Sequence, residues 1–307
     1  MSNKIVIVGA GGFIGLNLIG KLSQLDYDVI AIDRKFNNQH IGNVRYISGD
    51  GSNLLLYKDV DLNSASLIYL GGSSRPATSA PDIYTEIEGE SRDFLKLCEY
   101  AGCNNISKII FSSSGGTIYG ESSSEINYES NLERPINFYG YTKLLNEQAL
   151  RLLSLKYSFQ SISLRISNPY GPGQLSKSGQ GFVAAAMSSL FSFKPLRIWG
   201  DGLTVRDFIY IDDVASAFIS SVKYDGTNLI ANISSSVGYS LLDICEAINK
   251  ISSRELDIVF EPSRVFDVSK NVLSNIVAQN FLDWTPKVGM DLGLAETYSW
   301  WRGFNGN

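Results

Sequence analysis

The chain has 307 residues, 44% of them hydrophobic and 19% charged, enough apolar matter for one large domain or two unequal ones sharing a cleft. Its net charge of −5, without any run of lysines or arginines, excludes a nucleic-acid surface built on charge. It still admits an anionic small molecule gripped by one or two placed arginines.

Read in chain order, residues 4–8 form an apolar run too short for a secretory leader and read as a strand. Further buried strands are expected at 29–32, 44–47, 67–70, 108–112 and 161–166, with amphipathic helices at 13–25, 82–101 and 139–157. The strands are apolar throughout rather than at alternate positions, which indicates a parallel sheet covered on both faces. Beyond residue 167 the pattern loosens. Gly and Pro punctuate 168–173, a small-residue loop fills 176–181, and helices are expected near 182–191, 212–222, 241–251 and 290–301. The fold class is therefore α/β, a doubly wound parallel sheet with a smaller mixed lobe: residues 1–167, with return segments from the second half, and residues 168–307.

Several chemistries lack their parts. The single histidine, His40, sits in the polar stretch Asn37-Asn38-Gln39-His40 and reads as a surface loop residue. The three cysteines, Cys98, Cys103 and Cys245, have no CxxC spacing. A Ser-His-Asp hydrolase, a metal centre and a disulfide framework are not expected, and a reducing cytoplasm fits. No stretch reaches the roughly 18 apolar residues of a membrane span.

The first site signal is Gly9-Ala10-Gly11-Gly12-Phe13-Ile14-Gly15, placed where a strand turns into a helix. Gly9 permits the tight turn, Gly12 lets a pyrophosphate approach the backbone, and Gly15 packs helix on strand. The helix start supplies free N–H groups to phosphate. The second strand ends at Asp33, an acid suited to the ribose hydroxyls of NAD and repellent to a 2′-phosphate. The adjacent Arg34 is the feature that would favour NADP. Asp50-Gly51 after the third strand reads either as an adenine contact or as a plain strand-end turn.

The second signal follows the strand at 108–112, in Ser112-Ser113-Ser114-Gly115-Gly116-Thr117-Ile118-Tyr119-Gly120, and then Tyr139-Gly140-Tyr141-Thr142-Lys143. On a helix Tyr139 and Lys143 share a face, whereas Tyr141 has Leu145 at its fourth position. A neighbouring ammonium favours the phenolate, so Tyr139 can accept a hydroxyl proton while hydride leaves for a cofactor.

Together these motifs resemble the extended short-chain dehydrogenases/reductases, in particular the NAD-dependent epimerase/dehydratase family with its UDP-glucose 4-epimerase-like members. The resemblance spans nearly the whole chain. It extends to Leu164-Arg165-Ile166-Ser167-Asn168-Pro169-Tyr170-Gly171-Pro172-Gly173, to Trp199-Gly200-Asp201-Gly202, to Arg206-Asp207-Phe208, and to Arg264 with Asp267. It implies a Rossmann-type cofactor domain whose contacts include Phe13, Ile14, Leu70, Gly71, Ser112 and Pro169. It also implies a nucleotide-sugar substrate held by Asn168, Arg206, Arg264 and Asp267. A homodimer through the helices near Asp82 and Tyr139 is implied as well, although their apolar residues could equally face the protein's own sheet. Bacterial polysaccharide synthesis is the setting that the resemblance suggests.

Two departures matter. Aligned on Thr117-Ile118-Tyr119-Gly120, the family's Ser/Thr position falls on Gly115, so Ser114 or Thr117 must supply that hydroxyl. The Asn expected after Pro81 falls on Glu86. The acids that dehydratases and decarboxylases carry beside the site are Gly116 and Thr117 here, which disfavours elimination chemistry. The first expectation is therefore an NAD-dependent 4-epimerase acting through a 4-keto intermediate. The second is a nucleotide-4-ketosugar reductase, and the third a cofactor-sensing or scaffold protein without turnover. Asn271, by register, is expected beside the sugar's 2-substituent, where a small side chain would admit N-acetyl groups.

Overall fold

The computed structural model describes residues 3–36, 41–72, 83–122, 124–175, 181–263 and 268–305; His40, Arg264 and Asp267 lie outside them. The first half contains β1 (Lys4–Val8), α1 (Phe13–Leu22), β2 (Asp28–Asp33), β3 (Val44–Ser48) and β4 (Ser66–Tyr69). Next come α2 (Ile83–Glu86), α3 (Asp93–Cys103), β5 (Lys108–Ser114), α4 (Gly115–Ile118), α5 (Phe138–Tyr157) and β6 (Gln160–Ile166). The expected single helix over 82–101 is instead α2 and α3 joined by a π-helical turn, Ile87–Arg92. Such a turn inserts one residue into the helical repeat and rotates the succeeding helix about its axis; here it leaves Glu86 and Glu90 both buried.

In the second half lie β7 (Asn168–Tyr170), α6 (Phe182–Ser192), β8 (Leu196–Trp199), β9 (Val205–Tyr210), α7 (Ile211–Lys223) and β10 (Leu229–Ile233). The chain continues through β11 (Gly238–Ser240), α8 (Leu241–Ser252), β12 (Ile258–Glu261), β13 (Lys270–Asn271), α9 (Ile276–Leu282) and α10 (Met290–Asn305).

The main sheet is parallel and seven-stranded, in the order β10-β6-β5-β4-β1-β2-β3. The unbroken apolar runs now have a reason. Ile5 and Ile7 face one core, Val6 and Val8 the other, and both cores are built of buried apolar side chains. From β1 the chain steps to β2 and β3 on one side, then returns to β4 on the other. That reversal opens a crevice at the carboxyl ends of β1 and β4, where α/β sheets bind ligands.

Two segments of the second half return to this sheet. Strand β10 pairs with β6, and α7 packs on α1. Lys108 on β5 fixes α7 from below: its buried ammonium donates to the carbonyls of Ser221 (3.0 Å), Val222 (2.6 Å) and Tyr224 (2.5 Å) at the helix's C-terminal end. A cation there satisfies orphan carbonyls and complements the helix dipole. The remaining strands form two small sheets over the crevice, β11-β9-β13 with β7 beside β9, and β12-β8. Among the described residues no helix is long and apolar enough to cross a membrane, and no cluster of His, Cys, Asp and Glu could hold a metal.

Candidate active site

Between the main sheet and the small sheets lies a cleft of about 840 Å³. At one end is the glycine turn. Gly9 has φ +81°, and a Cβ added there would sit 2.7 Å from the Gly71 nitrogen. One added at Gly15 would sit 2.5 Å from the Ala10 carbonyl oxygen, so only glycine lets α1 approach β1 this closely. Gly12 is the N-cap of α1 and brings no side chain to its first turn. The N–H groups that start the helix therefore face the cleft beside Phe13 and Ile14 without a capping side chain. The loop Leu70-Gly71-Gly72 forms the adjacent wall.

Asp33 closes β2 next to this turn. One carboxylate oxygen accepts from Gly11 N–H (3.0 Å) and the other from Lys35 N–H (3.1 Å), which orients the group and leaves lone pairs on both oxygens. Arg34 beside it is exposed. Asp50 accepts from Ser52 N–H (3.0 Å), and that bond, with the Arg34 charge as a lesser cause, holds its carboxyl below the usual range. A Cβ on Gly51 would sit 2.4 Å from Val8 Cγ1. Asp50-Gly51 thus makes a strand-end turn, and neither residue lines the cleft.

Midway along, α5 presents Tyr139 and Lys143 to the cleft while Tyr141 points to solvent. The Lys143 ammonium donates to the Ser112 carbonyl (3.0 Å) and lies 4.9 Å from the Phe111 ring centre and 5.5 Å from that of Tyr139. Burial pushes its pKa down, opposed by the charges of Glu90, Glu147 and Glu86. Opposite stand Ser114 and Thr117, whose hydroxyls are joined, Thr117 donating to Ser114 at 3.0 Å.

Gly115 turns away from the cleft. A Cβ there would meet Leu273 Cδ1 at 2.3 Å and the Arg165 carbonyl oxygen at 2.9 Å. A hydroxyl on residue 115 would point away from the cleft, whose lining here is Ser114, Gly116 and Thr117. Strand β5 continues to Ser114, and the short helix α4 begins at Gly115.

The far wall carries Asn168 and Pro169 on β7 and Arg206 on β9, strands paired in parallel. Asn168 donates to the Asp207 carbonyl (2.9 Å). The Asp207 carboxylate, fully buried, gathers N–H groups of Ser235 (2.9 Å), Ser236 (3.1 Å) and Leu273 (3.3 Å) together with the hydroxyls of Ser167 and Ser235. Burial nevertheless pushes its pKa up to about 6. It ties the loops behind Asn168 and Arg206 together, a role that the Arg-Asp pair in sequence did not reveal.

Of the other expected substrate contacts, Arg264 and Asp267 fall outside the described residues. Asn271 is elsewhere. It is buried behind the cleft wall, donating to the Gly115 carbonyl (2.9 Å) and accepting from Asn127 (3.2 Å), so the inference about N-acetyl groups loses its footing. Sequence reading passed over Phe182, Thr204 and Leu241, which also line the cleft; no motif marks them.

A sequence model of the NAD dependent epimerase/dehydratase family matches residues 5–234, well over half of the chain. The chain belongs to this family. A dTDP-4-dehydro-6-deoxyglucose reductase of Escherichia coli is 29% identical over 304 residues, 95% of each chain. Among solved structures, a UDP-glucose 4-epimerase of Thermotoga maritima with UDP-glucose superposes with a TM-score of 0.92 at 28% identity, over 98% of this chain and 99% of that one. A UDP-glucuronic acid 4-epimerase of Bacillus cereus, in complex with UDP-glucuronic acid and NAD, gives 0.87 at 25% identity over 98% and 99%. The structural likeness thus spans both small sheets as well as the cofactor half.

Proposed function

We propose that this protein is an NAD-dependent nucleotide-sugar 4-epimerase, acting on a UDP-hexose or UDP-N-acetylhexosamine through a transient 4-ketosugar. The observation that carries the reading is the meeting, in one cleft, of the Tyr139–Lys143 pair and the Ser114–Thr117 hydroxyls, between a glycine turn and the Asn168–Arg206 wall. The family match and the NAD complex of the B. cereus relative support the cofactor.

A dinucleotide fits the residues present: the turn from Gly9 to Gly15 leaves backbone where side chains would block a pyrophosphate, and Asp33 offers oriented oxygens to a ribose. Bound there, NAD supplies a hydride acceptor whose reduced form can give the hydride back. Tyr139 takes the proton of the sugar's 4-hydroxyl, and Lys143 favours the phenolate that does so. Ser114 and Thr117 hold the 4-oxygen. Arg206, with Asn168, grips the diphosphate. Inversion requires the ketone to turn its opposite face to the returning hydride, while Tyr139 gives the proton back to the 4-oxygen. No added acid or base is needed beyond these groups. Residues 1–167 with the returning segments then serve the cofactor, and the rest serves the nucleotide sugar. We assign the protein to the cytoplasm, and to a homodimer in which the exposed apolar residues Tyr84, Leu152 and Leu155 face a second copy.

The test is incubation with UDP-glucose, UDP-N-acetylglucosamine and their 4-epimers without added cofactor, followed by product analysis. Interconversion with no net NADH is expected. A reductase reading is favoured by the E. coli relative; turnover only on a 4-ketosugar with reduced cofactor would establish it instead.

A further inference from the structure

Helix α5 carries a buried acid on the face of the half-buried Tyr139 and Lys143. Glu147 lies four residues beyond Lys143, is 2% exposed, and takes no part in the proton and hydride transfers assigned to the cleft. Its carboxylate accepts from Arg165 Nε (3.1 and 3.2 Å) and Nη2 (2.7 Å) on β6, and from the Ser113 hydroxyl on β5. Arg165 is wholly buried. It also donates to Glu133 (2.8 Å) and to the Tyr119 hydroxyl (3.0 Å), which in turn donates to the Asn232 amide oxygen (2.8 Å). The three serines ending β5 divide the work: the Ser112 carbonyl holds Lys143, the Ser113 hydroxyl holds Glu147, and the Ser114 hydroxyl enters the cleft. Behind the next residue, the Arg165 carbonyl backs Gly115.

A buried ion pair is a poor source of stability, since apolar residues of similar volume do as well or better. What this one provides is register. It clamps α5 to β5 and β6 one turn from Lys143, on the same strand end that delivers Ser114.

We propose that Glu147 and Arg165 are positioning residues that set the Tyr139–Lys143 pair against Ser114. The proposal rests on the assignment of Tyr139 and Lys143 as the catalytic pair. A displacement near 1 Å at reacting groups can cost about 100-fold in rate, so a loosened clamp reads out in turnover rather than in substrate binding.

The variants are Glu147→Gln and the double Glu147→Gln/Arg165→Met, assayed with the wild type for whichever activity it shows, epimerisation or ketosugar reduction, since both use Tyr139. Glu147→Gln should lower kcat by about 10- to 100-fold, with KM for the nucleotide sugar within about 3-fold of wild type. The groups facing Lys143 are Glu86 and Glu90 from α2 and the π turn, Glu147 from its own helix, and Tyr139. Removing one of these anions destabilises the protonated Lys143, so the alkaline limb of the kcat profile should move to lower pH. The double variant removes both members of the buried pair together; it should recover the wild-type melting temperature while kcat stays low. Unchanged kcat in Glu147→Gln, or full turnover in the double variant, would make the pair a fold element only and overturn the proposal. A wild type inactive in both assays overturns the catalytic assignment itself, and the proposal with it.

Discussion

Tyr139→Phe should lower turnover by about 10³-fold, near 4 kcal/mol of transition-state stabilisation, while leaving cofactor binding almost unchanged. The substitution removes one oxygen and keeps the ring, so α5 and the Lys143 contact with the aromatic face persist. What is lost is the group that takes the sugar's proton. None of the neighbouring side chains replaces it. Ser114 and Thr117, joined by one hydrogen bond, are far weaker bases, and the buried acids lie behind Lys143. Tyr141, two residues on, points to solvent and cannot substitute. Steady-state rates, together with NAD retained after gel filtration, check both halves of the expectation.

Lys143→Met should be nearly as severe in turnover, about 10²- to 10³-fold, but should differ by also weakening NAD about 10-fold. In the proposed mechanism the ammonium has two tasks: favouring the phenolate and, as the family resemblance implies, bonding the nicotinamide ribose. Methionine fills a similar volume beside Phe111, but it leaves the Ser112 carbonyl without its donor, at a cost of about 1–3 kcal/mol in stability. Because burial depresses the lysine's pKa, activity in the wild type should also decline at a lower alkaline pH than an exposed lysine would give. NAD titration and melting curves separate this variant from Tyr139→Phe, in which neither should change much.

The cofactor half was legible in the sequence because its signals are local. A strand, a glycine turn and a helix follow one another within residues 4–22, and the apolar runs directly report strands buried on both faces. Tyr139 and Lys143 were equally readable, since helical spacing alone brings them together. What escaped depends on register or on distant contacts. That residue 115 faces away from the cleft is set by Leu273, more than 150 residues away. Asn271 escaped likewise, because its place behind the wall is fixed by Gly115 and Asn127, both distant in sequence. The π turn that buries Glu86 and Glu90 leaves no mark in the apolar pattern. The Glu147–Arg165 pair joins elements whose charges look, in sequence, like ordinary surface residues.

The most direct test of oxidation and reduction at one carbon uses a nucleotide hexose carrying deuterium at C4, incubated in ordinary water with the purified protein and unlabelled NADH in solution. The account predicts product with inverted configuration at C4 and the deuterium still in place, because the hydride removed is the hydride returned. Product with C4 deuterium lost to solvent or to the external NADH would contradict it.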